Sequence, residues 1–246
     1  MAFPDRVQNM PAARGLDPGP ASFPVLHSGY GQVHDKRSSL GPAERRISPG
    51  RPVMDALTAY EQTLVWAGQR IAGVRADNLA VPTPCRDWNL RALVAHLVAG
   101  IWYFKALASN EPIEKLMRGL SDLVGDDPFA SYDHAARAGL EAWRIPGALD
   151  RSYPMPLGDQ PGREALAIHQ ADLLIHGWDV AEATHQDSTM PPELAAFSLS
   201  TERSFIRPEM RGPDRAYDAA RPDPGDDGPQ DRLLAFVGRS PTWRGA

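Results

Sequence analysis

Asp172-Leu173-Leu174-Ile175-His176-Gly177-Trp178-Asp179 sets two carboxylates and an imidazole among aliphatic and aromatic residues. A polar group in such surroundings must find a partner or cost stability. Asp172 and His176 stand four apart, so on a helix they project side by side from one face. Extending the helix back to His169 and on to Asp179 keeps all four polar groups within about a quarter turn, at 3.6 residues per turn. With Leu166, Leu173, Leu174, Ile175 and Val180 around them, these groups are hard to place on an ordinary apolar core face. Two readings compete: an exposed polar stripe in which Asp172 and His176 are a plain i,i+4 pair, or a buried ligand site.

A second stretch, Leu93-Val94-Ala95-His96-Leu97, sharpens the choice. Its helical neighbours one turn away, Ala92, Ala99 and Gly100, are small and leave room for an ion, a water and part of a ligand. Alone, His96 reads most plainly as a satisfied core histidine. Beside Asp172 and His176 on a facing helix, it completes a three-ligand site with one position open to water or substrate. One carboxylate and two neutral imidazoles suit a borderline divalent ion, zinc first, with iron, nickel and manganese as alternatives. His169 is placed as an outer partner that holds a ligand in orientation.

Working outward, the apolar positions Leu57, Tyr60, Leu64, Ile71 and Val74 recur at helical spacing and predict a first helix over 54–80. A proline-stiffened loop, Val81 to Trp88, leads to Asn89, a good N-cap for a second helix that ends near Asn110. A third helix is predicted from Phe129 to Trp143, a loop or short hairpin from Asp150 to Gly162, and a fourth helix from Arg163 to Thr184. Beyond Pro191-Pro192, a shorter helix (Glu193 to Ile206), a Pro/Asp/Gly-rich excursion (Arg211 to Pro229) and a last turn (Leu233 to Val237) form a helical extension. Four main helices with almost no β-alternation predict an all-α, antiparallel four-helix bundle. The domain reading is 1–53 leader, 54–190 bundle and 191–246 C-terminal helical extension. The leader is dense in proline, glycine, serine and charge, without sustained periodicity, and is expected to be disordered.

Composition narrows the function classes. The chain has 246 residues, a formal net charge of -5 and no basic stripe interleaved with aromatics, which disfavours nucleic acid and anionic membrane surfaces as partners. The longest apolar stretches are broken by His, Lys, Arg or Asp before the ~20 residues of a membrane span, and no charged start precedes an apolar run. A cytoplasmic location is expected. A single cysteine, Cys85, excludes an internal disulfide framework and reads as a packed, inert thiol. Trp88 and Trp178 read as packing aromatics near helix ends. His134 has a helical setting without a visible partner, and His27, His34 and His185 are assigned no role.

Thr83-Pro-Cys-Arg-Asp-Trp-Asn-Leu-Arg-Ala-Leu-Val-Ala-His96-Leu-Val-Ala-Gly, followed downstream by Asp172-Leu-Leu-Ile-His176-Gly-Trp-Asp179-Val-Ala, resembles the mycothiol-dependent maleylpyruvate isomerase family. The terminal Gln230-Asp-Arg-Leu-Leu-Ala-Phe-Val-Gly-Arg239-Ser-Pro resembles the end of many members. The likeness runs from about Met54 to Trp243, and its His-Gly-Trp-Asp word matches an uncharacterised branch of the family. The resemblance implies a DinB-like four-helix bundle and a divalent metal, usually zinc, held by one histidine of the second helix and an acid-x-x-x-His pair of a later one. By position these are His96, Asp172 and His176, with aspartate where the characterised isomerase has glutamate.

The function implied is a metal-dependent enzyme that uses a small-molecule thiol, mycothiol, as co-substrate and adds it to a small electrophile, for isomerisation or S-transfer. Arg239 is the candidate for binding a substrate carboxylate through a bidentate contact. The rivals are a non-catalytic metal- or ligand-binding module, since fold alone does not fix function, and a metal-dependent hydrolase with His169 or Asp179 as base.

Overall fold

The computed structural model describes residues 54–113, 123–155, 158–212, 215–225, 227–240 and 242–243. The leader predicted over 1–53 lies outside them. The described elements are α1 (Ala56–Ile71), α2 (Leu90–Ser109), α3 (Pro128–Trp143), a hairpin of β1 (Ser152–Tyr153) and β2 (Gln160–Pro161), α4 (Gly162–Ala183), α5 (Pro192–Phe205), a single 3-10 turn (Pro208–Met210) and α6 (Pro229–Phe236).

Local sequence sets the helix starts. Asp55 accepts from the amides of Leu57 and Thr58, Asn89 from that of Ala92, and Asp127 from that of Ala130 with Pro128 behind it. Each side chain satisfies amides that the first helical turn leaves without partners. The first helix stops at Ile71 rather than near Ala80. There the backbone tightens, with the Gly73 amide donating to the Arg70 carbonyl and the Val74 amide to that of Ile71, and the Gln186 side chain also donates to the Arg70 carbonyl at 2.7 Å, where a Cβ at Gly73 would come within 2.5 Å of it.

α4 packs on α1 and α2, and α3 packs on α2 and α1, which closes the four-helix bundle. Side-chain pairs give the directions. Tyr60 meets Gly139 while Gly68 meets Tyr132, so α1 and α3 oppose each other. His96 meets Asp172 while Phe104 stacks on His169, so α2 and α4 also oppose each other. Thr63 meets Gln170 and Trp66 meets Gly177, so α1 and α4 run in the same direction. α5 packs on α4 and α6 on α5, placing the segment read as an extension against the central helix, within one compact unit that begins at Met54.

The core is built from large side chains that are almost wholly buried, among them Tyr60, Phe104, Tyr132, Trp143 and Trp178. Burial of one such aliphatic or aromatic side chain contributes about 1.5–3 kcal/mol. Buried polar contacts set helix registers: Gln170 donates to the Thr63 hydroxyl at 2.8 Å and accepts from Ser198 at 3.1 Å, tying α4 to α1 and α5.

α2 is long and apolar enough, by length and composition, to cross a membrane, although His96 and Lys105 interrupt it. Its apolar surface has another explanation, because 67% of the apolar window is buried inside the bundle. α4 is enclosed on nearly every side. It is the central helix, and every residue it carries from Ala165 to Ala181 is buried, the polar ones included.

Candidate metal centre

The enclosure of α4 decides between the two readings of its polar arc. His169 is 1% exposed, Asp172 8%, His176 8% and Asp179 0%. An exposed polar stripe is excluded, and each of these groups has to be accounted for by its surroundings.

His96 enters from α2, two turns in from the cap Asn89, with Nε2 at 3.2 Å from Asp172 Oδ2. His176 Nε2 lies 3.5 Å from Asp172 Oδ1. One ligand atom from each of the three side chains falls within 4.8 Å of the other two. The three residues brought together are those that the sequence reading paired.

Behind His176, a second carboxylate fixes which nitrogen faces this cluster. Asp179 receives Arg239 through both oxygens, from Nε and Nη2, each at 2.9 Å. Burial pushes the Asp179 carboxyl up, yet the Arg239 guanidinium and the bonds from His176 and Arg239 together hold it below the usual carboxylate range. An ionised carboxylate only accepts, so the 2.9 Å contact requires His176 Nδ1 to donate to Asp179 Oδ2. Nε2 then faces Asp172, and in the neutral imidazole it is the nitrogen that carries the lone pair.

That arrangement fits a divalent cation. A neutral His176 would set its Nε2 lone pair 3.5 Å from the Asp172 oxygen, two acceptors that a cation between them would reconcile. Burial pushes the His96 imidazole below its ordinary value, which favours the neutral, ligating form. At Asp172 burial acts upward, and positive charge beside it, as a protonated His96 or His176 would supply, together with the bond from His96 holds the carboxyl well below the usual range. The carboxylate behind His176 is the kind of partner that orients a metal-ligating imidazole.

Trp88, read from the sequence as a packing aromatic, is a wall of the site. Its ring lies 4.5 Å from that of His96 and 5.5 Å from that of His176. The loop that holds it is organised by Thr83, buried at 3%, whose hydroxyl lies 2.9 Å from the Trp88 carbonyl and 3.2 Å from the Cys85 amide. Arg86 pairs with Asp218 and ties the loop to the segment before α6. Burial pushes the Cys85 thiol up to about 12, in keeping with an inert thiol.

Arg239 arrives from the turn after α6, where Gly238 adopts φ +85° and a Cβ would meet Asp218 at 2.6 Å, so only glycine serves there. Its bidentate edge, assigned from the sequence to a substrate carboxylate, is engaged by Asp179. His169 lies flat on Phe104 at 4.2 Å, and neither ring nitrogen has a hydrogen-bond partner among the described residues. Burial pushes it down to about 3. His134, expected without a partner, meets Trp102 edge-on at 5.3 Å.

Residues 67–181 match the Mycothiol maleylpyruvate isomerase N-terminal domain. Two uncharacterised proteins of Mycobacterium tuberculosis, Rv0738 and MT0763, are each 34% identical over 187 residues, covering 76% of this chain and 99% of theirs. The chain belongs to the mycothiol maleylpyruvate isomerase family. Among solved structures it is similar to the mycothiol-dependent maleylpyruvate isomerase, with TM-score 0.46 and 16% identity over 59% of this chain and 66% of that one. A histidine-to-alanine mutant of that isomerase aligns with TM-score 0.41 and 16% identity, over 51% and 59% of the two chains. The chain thus spans less than two thirds of those solved chains.

Sequence reasoning missed Glu202 and Tyr217. Glu202 is 1% exposed on α5, and Oε2 has no partner among the described residues. Ser-Thr-Glu-Arg-Ser looks solvated in isolation. The available signal was the row Leu194, Ser198, Glu202 at four-residue spacing, which lies on the buried side of α5.

Proposed function

We propose that this chain is a divalent-metal protein that uses mycothiol as co-substrate and acts on a small electrophile as an isomerase or S-transferase. The observation that carries this reading is the buried His96–Asp172–His176 cluster, with the His176 lone pair directed at Asp172 by Asp179 and Arg239. Those three residues would hold the ion, with zinc the expected metal. When bound, such an ion favours the thiolate form of a thiol beside it, which is the nucleophile.

The protein's own groups do the rest. Trp88 covers the two imidazoles and limits water at them. Arg239 and Asp179 hold His176 in one tautomer. The hydrolase alternative loses the bases it named: Asp179 is engaged by Arg239 and His176, and His169 is too weakly basic at neutral pH.

The test is metal content by mass spectrometry of the wild type beside His96→Ala and His176→Ala, followed by consumption of an electrophile panel with and without mycothiol. About one equivalent of metal, lost in both variants, with thiol-dependent turnover, is expected. A His176→Ala protein that keeps both metal and activity would falsify the reading, and turnover that needs no thiol would move it to hydrolysis.

A further inference from the structure

We propose that a second cavity, on a different face of α4 from the metal cluster, binds a small organic anion with an apolar body, an aryl or alkyl carboxylate. The cavity encloses about 730 Å3 between the first turns of α1 and α4 and one face of α5. That is room enough for a ligand of this class. On α4 it is lined by Arg163, Glu164, Ala167 and Ile168. At 3.6 residues per turn, their face lies roughly a third of a turn round the helix from the polar arc. None of the three clustered ligand residues lines it, so it is a site separate from the metal centre.

The walls set the apolar part of the ligand. Ile168 is almost wholly buried, and Phe197 and Phe205, on the same face of α5, present half-buried rings to the cavity. An apolar body that leaves water to lie against these side chains gains by burial. Polyols are served less well. The Thr201 and Ser204 hydroxyls that line the cavity donate to carbonyls of their own helix, those of Phe197 and Thr201.

The sign of the ligand's charge follows from which lining charges are already engaged. Asp55 caps α1, accepting from the amides of Leu57 and Thr58 and from the Thr58 hydroxyl. Asp150 pairs with Arg163. Glu164 stands in the first turn of α4, where a negative charge meets the positive end of the helix. Arg207, just beyond α5, is exposed and has no ion-pair partner among the described residues. Its guanidinium is left free to meet a carboxylate through two N–H groups. Apolar walls with an unengaged guanidinium at the rim select a carboxylate on a hydrophobic body.

Phenylacetate, acetate and phenylacetamide serve as probes, titrated calorimetrically into the full chain after chelator treatment, so that carboxylate binding to a metal contributes nothing. Phenylacetate is expected to bind. Acetate, which lacks the ring, and phenylacetamide, which lacks the charge, should each bind at least about tenfold more weakly. Arg207→Ala, an exposed substitution, should cost phenylacetate a similar factor and leave phenylacetamide unchanged. Ser204→Trp, which puts an indole at the cavity wall, should abolish binding. His176→Ala lies outside the cavity and should bind phenylacetate as the wild type does. No phenylacetate binding in the millimolar range overturns the proposal, as does binding that both Arg207→Ala and Ser204→Trp leave intact. Binding lost in His176→Ala would place the carboxylate at the metal cluster and overturns it as well.

Discussion

Arg239 and Asp179, 60 residues apart, meet edge to edge, with Nε and Nη2 each 2.9 Å from one carboxylate oxygen. Asp179 is wholly buried, and its Oδ2 also accepts from His176 Nδ1. The pair connects the end of the chain to the orientation of one imidazole. It stands or falls as a unit, because either charge left alone in that interior is costly.

Arg239→Ala is therefore expected to destabilise the fold by about 3–5 kcal/mol, the cost of stranding one member of a buried ion pair. It should also weaken zinc binding by roughly 10–100-fold through loss of the support behind His176. Thermal unfolding and chelator competition measure the two effects. Arg239→Lys, which cannot present a fork, should recover only part of each.

Asp179→Asn should lower zinc affinity by a similar 10–100-fold while leaving His96, Asp172 and His176 in place. Since it acts through the same contacts as Arg239, the double variant should lose much less than the sum of the singles. Additive losses in a double-mutant cycle would show that the two residues do not work through one another.

Metal-free protein should lose stability as pH falls below about 6.5, the ordinary histidine value. Burial holds His169 down to about 3, so the unfolded chain binds a proton there that the folded chain refuses. Its contribution is present above the unfolded value and is lost on acidification, at up to about 1.4 kcal/mol per pH unit for one proton. His169→Phe, which keeps an aromatic ring against Phe104, should flatten the slope between pH 6 and 4. An unchanged slope would assign it to His96 or to the carboxylates.

Gly177 lies where a Cβ would come 2.8 Å from the Trp66 ring and 3.2 Å from Ala67. Gly177→Ala forces α1 and α4 apart next to His176, an overpacking cost of about 1–3 kcal/mol. A drop of several degrees in melting temperature, with weakened zinc binding, is the expected result.

If zinc is held by His96, Asp172 and His176 in the folded state alone, it should stabilise the wild type by about 2.7 kcal/mol at 100 times its dissociation constant. Chelator should remove the shift. In His176→Ala the melting temperature should not respond to zinc at all.

Much of this was legible in the chain. The caps Asp55, Asn89 and Asp127 act locally, and a helix start depends on bonds within three residues. The pairing of Asp172 with His176 follows from helical spacing, and the small residues around His96 pointed to a site there. The end of α1 was misplaced, because apolar spacing continues to Val74 while the backbone tightens at Gly73, where Gln186, more than a hundred residues away, also bonds the Arg70 carbonyl. Nor was the role of Trp88, since nothing in Asp-Trp-Asn tells which rings the indole will cover.

By itself the sequence determined the helix starts and the polar arc and offered His96, Asp172 and His176 as candidates, since periodicity and capping are properties of neighbouring residues; that α2 faces α4 and brings the three together was decided by the tertiary structure. Only the tertiary structure decided that the arc is enclosed, that Arg239 serves Asp179, and that Glu202 lies buried with an oxygen unpartnered. Burial and partner choice depend on which surfaces other elements cover. A residue's desolvation, and hence its protonation, is set by neighbours distant in the chain.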